Sequence, residues 1–198
     1  MTIHIGTSGW SYDHWSGVLY PPGAPSGDRL RYYTQSFQTV ELNSSFYRWP
    51  RVAAFQAWKR RLLDAFQLSV KAPRGLTHAK SSTPEAWIER IASCWHELAE
   101  TRAVLLVQLA PDQARDDARL GYFLELLPQW IRTSVEFRHP SWSDEHVFAM
   151  LERHTVAYCV VSGAHLPCVL RATAPFVYVR LHGPDPHHLY AGSYSTER

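Results

Sequence analysis

Short runs of β-branched and other apolar residues recur along the chain, and they alternate with longer segments whose apolar residues fall three or four positions apart. Such short runs are typical of strands, and the longer spacing is typical of the buried face of a helix. The pattern predicts seven strands, most of them followed by a helix. The strands are predicted at residues 4–7, 39–42, 67–71, 103–109, 134–137, 156–161 and 176–181.

Three of the segments between these strands have a clear helical spacing of apolar residues, at positions 52–63, 87–98 and 120–130. Two helix starts are marked by their chemistry as well. Thr83 before Pro84 predicts an N-cap followed by proline at the first helical position, and Ser143 before Asp144 and Glu145 predicts a second N-cap.

The order of these elements predicts an α/β fold with parallel strands. The fourth strand is apolar at every position from 103 to 107, as expected for a parallel strand covered on both faces. A barrel and an open doubly wound sheet share this pattern, but no G-x-G-x-x-G follows the first strand to favour the dinucleotide-binding version. We therefore predict a TIM-type (β/α) barrel forming a single domain over residues 1–198. Because a complete barrel has eight units in about 250 residues, this barrel is predicted to end after its seventh strand.

Composition and charge indicate the general class of the protein but do not indicate its ligand. The 198 residues are 45% hydrophobic, enough for a sizeable core, and no apolar run is long enough to span a bilayer. The formal net charge of +2 is too small by itself to indicate a nucleic-acid-binding protein. The three cysteines form no C-x-x-C pair, which fits a reducing compartment. We expect a cytoplasmic protein that has no membrane partner and needs no cofactor, and the sequence indicates no particular protein partner.

Polar side chains stand at the carboxyl ends of five of the predicted strands. In a parallel barrel these ends meet at one rim, and residues two apart on a strand point to the same face. A single charged residue in such a position is ordinarily part of a structural ion pair, whereas repetition over five strands favours a functional site. The residues are Glu41 and Asn43, Ser69 and Lys71, Gln108, Glu136 and Arg138, and Arg180 and His182.

The mixture of charges at this rim indicates an anionic ligand. Lys71, Arg138 and Arg180 would repel a divalent metal ion, so no metal ligands are predicted. Guanidinium groups instead present paired donors to phosphate or carboxylate. Glu41 and Glu136 can orient these cations or act as bases. We therefore predict a pocket for a phosphate- or carboxylate-bearing ligand.

Two tryptophans and a histidine also come after predicted strands. Trp10 comes after the first strand, His78 after the third and Trp142 after the fifth. Most aromatic residues in such places pack loops onto a barrel, but tryptophan faces beside cations also suit a nucleotide or single-stranded nucleic acid. The segment from Gly6 to Trp10 does not complete a G-x-S-x-G nucleophile motif, because Trp10 stands in place of the last glycine.

Several of these motifs, in order along the chain, resemble the YecE-like family, also known as domain of unknown function 72. The resemblance runs from the first predicted strand to the end of the sequence. It implies a TIM-like barrel whose biochemical role is not settled, with a general similarity in architecture to metal-dependent endonucleases and sugar isomerases. The motifs are residues 6–10 with Tyr12 and Trp15, residues 41–47, Lys71 with Thr77 and His78, Gln108 and Leu109, residues 136–139 with Trp142, and residues 178–183.

Three hypotheses about function remain. The first is an enzyme acting on an anionic substrate by acid–base catalysis, in one version a hydrolase. The second is a nucleotide- or nucleic-acid-binding module without catalysis, and the third, metal-dependent phosphodiester hydrolysis, rests on fold analogy alone. The first hypothesis assigns catalysis to Glu41, Glu136 and His182, and ligand binding to Asn43, Lys71, His78, Gln108, Arg138, Arg180, Trp10 and Trp142.

Overall fold

The computed structural model describes residues 2–78, 83–163, 166, 168–188 and 190–195. The chain forms two compact units, residues 1–105 and 106–198, and the boundary between them falls inside the fourth strand. Among the described residues, no helix is long and apolar enough to cross a bilayer. The single domain over residues 1–198 and the cytoplasmic location stay predictions.

The first unit alternates strands and helices. Its strands follow one another in the sheet in chain order, and the registers of the first strand with the second and of the second with the third are parallel. They are β1 (Gly6–Ser8), β2 (Thr39–Leu42), β3 (Gln67–Lys71) and the start of β4 (Arg102–Gln108). The helices are α1 (Arg29–Ser36), α2 (Ser44–Tyr47), α3 (Val52–Lys59), α4 (Arg74–Thr77) and α5 (Pro84–His96).

Aromatic side chains on the helices of the first unit build much of its core. Phe55 on α3 and Trp95 on α5 are fully buried, since they lie on the apolar faces that the sequence spacing predicts. Tyr33 on α1 is also fully buried, and its hydroxyl accepts a hydrogen bond from the amide of Thr7 and donates one to the carbonyl oxygen of Thr39, both at 2.9 Å. Tyr33 therefore links β1 and β2 through hydrogen bonds to the backbone of both strands.

The second unit continues the same alternation. β4 is completed here and is followed in the sheet by β5 (Thr133–Glu136), β6 (Ala157–Ser162) and β7 (Tyr178–Leu181), and the registers of β5 with β6 and of β6 with β7 are parallel. The helices are α6 (Asp117–Leu126) and α7 (Glu145–Arg153). Leu124 on α6 and Val147 and Leu151 on α7 are buried, because the apolar face of each helix is turned inward.

The positions of most elements are as predicted, but several boundaries are wrong. β1 begins at Gly6 rather than at residue 4, and Ile5 before it is 72% exposed. α6 ends at Leu126 rather than at residue 130, because Pro128 drives Leu127 before it into the extended conformation. α3 ends at Lys59 rather than at residue 63, and β7 begins at Tyr178 rather than at residue 176.

The N-cap of α7 is also one residue later than predicted. Asp144, not Ser143, occupies the N-cap position, and its Oδ1 accepts a hydrogen bond of 2.9 Å from the amide of His146. We expect Asp144→Ala to lower the free energy of unfolding by about 1 kcal/mol, since it leaves a helix-terminal amide without its acceptor. Ser143→Ala is the matched control and should change it by less than about 0.5 kcal/mol. Urea denaturation of both variants decides the assignment, and a larger loss for Ser143→Ala would contradict it.

Candidate functional site

A hydrogen-bonded polar group lies at the carboxyl ends of β1 and β2. The parallel register places Ser8 beside Glu41, and the Ser8 hydroxyl donates to Glu41 Oε1 at 2.8 Å. The side-chain amide of Asn43 donates to Ser8 Oγ, and Glu41 is only 7% exposed. The structure thus brings the predicted residues Glu41 and Asn43 together through Ser8, which the sequence analysis had not selected. Its place at the end of β1, next to the turn at Gly9, was the available signal.

A second group in the first unit is organised on the ring of Phe46. The ammonium group of Lys71 lies 4.4 Å from the centroid of this ring, within the range of a cation–π interaction. The ring of His78 meets Phe46 edge to face, with centroids 5.1 Å apart, and His78 Nδ1 lies 2.6 Å from Thr77 Oγ1. Two of the predicted ligand-binding residues, Lys71 and His78, therefore share one aromatic neighbour, which the sequence analysis also did not select.

The second unit contains a compact charged group at the ends of β4, β5 and β7, which we call the Glu136 cluster. Glu136 is fully buried and ends β5, and its two carboxylate oxygens receive different guanidinium groups, Oε1 from Arg138 and Oε2 from Arg180. Both arginines also approach Gln108 Oε1, at 3.4 Å from Arg138 Nη2 and 3.2 Å from Arg180 Nη1. Five predicted site residues meet here: Gln108, Glu136, Arg138, Arg180 and His182.

His182 closes the cluster on the side of β7. Its Nε2 lies 3.7 Å from Glu136 Oε1 and 3.3 Å from Arg138 Nη2. The backbone holds it in place, since its amide donates to the carbonyl of Ser162 at 2.7 Å. A side chain at Gly163 would place a Cβ 2.9 Å from the Cβ of His182, so the glycine makes room for the imidazole.

The ionisation of Glu136 follows from these contacts. Burial alone would raise its pKa, but the nearby imidazole of His182 and the charges of Arg180 and Arg138 outweigh this and lower the pKa to about 2. A group with so low a pKa is a poor proton carrier near neutral pH. Of the two roles that the sequence left open for Glu136, the geometry favours orienting the arginines over acting as a base.

Charge and exposure decide what the cluster can accept. Arg138 and Arg180 contribute two positive charges and Glu136 one negative charge, which leaves +1 from these three side chains. The arginine side chains are 13% and 10% exposed, whereas Glu136 is inaccessible. Any ligand would therefore meet guanidinium groups, which prefer phosphate or carboxylate. In the part of the chain that the structure describes, no three His, Cys, Asp or Glu side chains are grouped as metal ligands.

The two predicted tryptophans have different surroundings. Trp142 is 4% exposed, stacks on Phe137 with centroids 4.6 Å apart, and donates from Nε1 to the carbonyl of Gln113 at 2.8 Å. Its ring is thus committed to packing within the second unit, which disfavours the predicted contact with a ligand. Trp10 is half-buried and meets Trp58 edge to face at 6.4 Å in the first unit.

Comparison with known protein families shows to which family the chain belongs. The family described as "Protein of unknown function DUF72" matches residues 4–198. The chain belongs to the DUF72 family. The resemblance read from the sequence motifs is thereby confirmed, and the family description assigns no activity.

DUF72 relatives with curated names are also similar to this chain. UPF0759 protein YunF of Bacillus subtilis is 28% identical over 202 residues, which cover 91% of this chain and 70% of that protein. UPF0759 protein YecE of Escherichia coli K12 is 28% identical over 142 residues, which cover 71% of this chain and 50% of that protein. The chain therefore matches about half the length of YecE, and any activity of the whole protein is a matter for proposal.

Solved DUF72 structures confirm the predicted α/β fold class of the TIM type. The crystal structure of TM1631 from Thermotoga maritima has a TM-score of 0.79 and 28% identity, and the match covers 92% of this chain and 75% of that one. The crystal structure of EF0366 from Enterococcus faecalis has a TM-score of 0.72 at 16% identity, and the match covers 86% of this chain and 77% of that one. The second likeness bears on the fold alone.

Proposed function

We propose that this DUF72 chain binds an anionic ligand, bearing a phosphate or carboxylate group, at the Glu136 cluster. The observation that supports this most is the fully buried Glu136 carboxylate, which holds one arginine on each of its oxygens. A carboxylate in this position fixes two flexible side chains in advance. Because the arginine side chains are already ordered, they lose less conformational entropy when a ligand binds to them.

The geometry of the arginines supports an anion rather than a neutral ligand. Both guanidinium groups donate toward the same two side chains, Glu136 and Gln108, so their positive charges lie close together. Arg138 reaches three members of the cluster, namely Glu136, Gln108 and His182. Charge-assisted hydrogen bonds from such a group are about twice as strong as neutral ones, so a phosphate or carboxylate would gain most from this arrangement.

Catalysis is a separate prediction from binding. With Glu136 ionised and enclosed, His182 is the member of the cluster that remains as a candidate for moving a proton. Its Nε2 lies beside Arg138 Nη2 at 3.3 Å, so an anion held by Arg138 would also be close to the imidazole. The chemistry of the substrate would decide whether this proximity is used.

Calorimetric titration with inorganic phosphate at pH 7.5 and constant ionic strength tests the proposed binding. We expect saturable binding with a Kd of about 1 mM or lower. Arg138→Gln should raise the Kd at least tenfold, since removing a charge-assisted hydrogen bond costs about 1.5 to 3 kcal/mol. Constant ionic strength is needed because salt screens weak attraction between charges.

Arg171→Gln is the matched control for this titration. Arg171 lies in the same unit and carries the same charge, but it pairs with Glu145 and Glu152 on α7, at 3.2 and 3.1 Å. Its loss lowers the net charge equally and should leave the Kd within about twofold. Equal weakening by the two variants would show a general charge effect and contradict the proposed site.

A further inference from the structure

The second unit contains a cavity of about 380 Å³ at the amino ends of β5 and β6, which we call the basal pocket. Arg132 and Val156 in its wall immediately precede these two strands. The Glu136 cluster lies beyond the opposite end of β5. Since a strand rises by about 3.3 Å per residue and Glu136 is four residues after Arg132, the two places are roughly 13 Å apart along the strand.

The wall of the basal pocket is held by backbone hydrogen bonds. The amide of Ile131 donates to the carbonyl of Pro128 at 2.9 Å, and the amide of Val156 donates to the carbonyl of Leu151 at 3.0 Å. Thr155, just before Val156, has a φ of 57°, a conformation that costs a non-glycine residue about 1 to 3 kcal/mol and persists only where the surrounding structure imposes it. The cavity is therefore formed before any ligand arrives, as is usual for small-molecule sites.

The chemistry of the lining is apolar at the base and cationic at the edge. Leu127, Ile131 and Val156 are each less than 8% exposed and provide the apolar surface. Arg132 and His154 also line the cavity, and no Asp or Glu of the described chain does. Within the described ranges no ion pair joins Arg132 to an Asp or Glu side chain, and Arg132 is exposed at the edge of the cavity.

We propose that the basal pocket binds a small monocarboxylate with an apolar body, such as an aromatic or branched aliphatic acid. The apolar body would cover the Ile131 and Val156 surface, and the carboxylate would meet the guanidinium of Arg132. The volume is at the lower end of the range for ligand pockets, about 300 to 1,000 Å³, and so suits a ligand of the size of benzoate. This site is independent of the anion binding proposed for the Glu136 cluster.

Titration with benzoate, followed by the amide chemical shifts of the protein in NMR spectra, tests the proposal. We expect saturable shifts at residues 131, 132 and 154–156 with a Kd of about 1 mM or lower. Benzamide, which has the same shape without the charge, should bind at least tenfold more weakly. Absence of shifts at these residues up to about 10 mM benzoate, or equal binding of benzamide, would overturn the proposal.

Four variants show where benzoate binds. Arg132→Gln should weaken benzoate binding about tenfold, and Gln129→Glu, which adds a negative charge to the exposed part of the lining, should weaken it similarly. Arg153→Gln is the matched control on the neighbouring helix α7 and should change the Kd by less than about twofold. Arg138→Gln, which should weaken anion binding at the Glu136 cluster, should leave unchanged the Kd read from the shifts at residues 131, 132 and 154–156. If Arg138→Gln abolishes the benzoate shifts and Arg132→Gln does not, benzoate binds at the Glu136 cluster and the basal pocket is not the site.

Discussion

Replacing Glu136 with glutamine is expected to lower the free energy of unfolding by about 3 kcal/mol near neutral pH. The carboxylate is fully buried and partly offsets the positive charges of Arg138 and Arg180, whose side chains are 13% and 10% exposed. The substitution keeps the size of the side chain but leaves Arg138 and Arg180 without this counter-charge. Removing one partner of a buried ion pair costs far more than removing an exposed one, since the remaining charge stays out of water.

Urea denaturation of Glu136→Gln and of a matched exposed variant measures this effect. Glu152→Gln changes the same residue type in the same unit, and Glu152 pairs with Arg171 at 3.1 Å with 44% of its side chain exposed. This control should change the free energy of unfolding by less than about 0.5 kcal/mol. Adding Arg138→Gln to Glu136→Gln should recover part of the loss, because it removes one uncompensated cation. If Glu136→Gln is no less stable than the control, the ion-pair network does not anchor this end of the unit.

The acid side of the stability profile is the second large effect expected of the cluster. The pKa of Glu136 is about 2 in the folded chain, against 4.5 for an ordinary glutamate. Because the folded-state pKa is the lower one, the unfolded chain takes up the proton first as pH falls. The stabilisation is therefore complete above about pH 5 and is lost between about pH 4.5 and 2, with about 2 kcal/mol gone by pH 3.

The difference in stability between the natural chain and Glu136→Gln isolates this contribution. Other carboxylates with lowered pKa values, such as Asp117 and Asp144 beside Arg115, are present in both proteins and cancel in the comparison. The difference between the two unfolding free energies, measured in urea, should be largest above pH 5 and shrink by about 2 kcal/mol at pH 3. A difference that stays constant over this range would contradict the low pKa of Glu136.

The sequence predicted the fold best for the buried strands, where only apolar side chains are tolerated at most positions. β2 and β3 were placed correctly at both ends, and the fully apolar stretch of β4 is buried from Ala103 to Val107. Periodicity was less reliable at the ends of helices. The apolar spacing continues past Leu126 to Trp130, but Pro128 ends α6 earlier, because local backbone constraints override a hydrophobic pattern.

For the candidate site, the alternation of side chains along strands carried most of the prediction. Glu136 with Arg138 and Arg180 with His182 are spaced by two, and each pair meets in the cluster. Which oxygen of Glu136 receives which arginine depends on side-chain rotamers that no sequence pattern encodes. Trp142 shows the same limit, since only the structure reveals the carbonyl of Gln113 that satisfies its buried N–H.

The roles given to the first unit stay predictions. Glu41 and Asn43 are joined through Ser8, and Lys71 and His78 share the ring of Phe46. These contacts show organised polar groups at the ends of β1, β2 and β3. The proposed anion binding rests instead on the second unit, where two arginines and Glu136 carry a net charge of +1.

The ratio of the phosphate Kd of Arg138→Gln to that of the natural chain, measured by calorimetry at constant ionic strength, tests the central claim most directly. The Glu136 cluster predicts a ratio of about ten or more, with Arg171→Gln remaining within about twofold of the natural chain. A ratio near one, or a ratio no larger than that of Arg171→Gln, would contradict anion binding at these arginines.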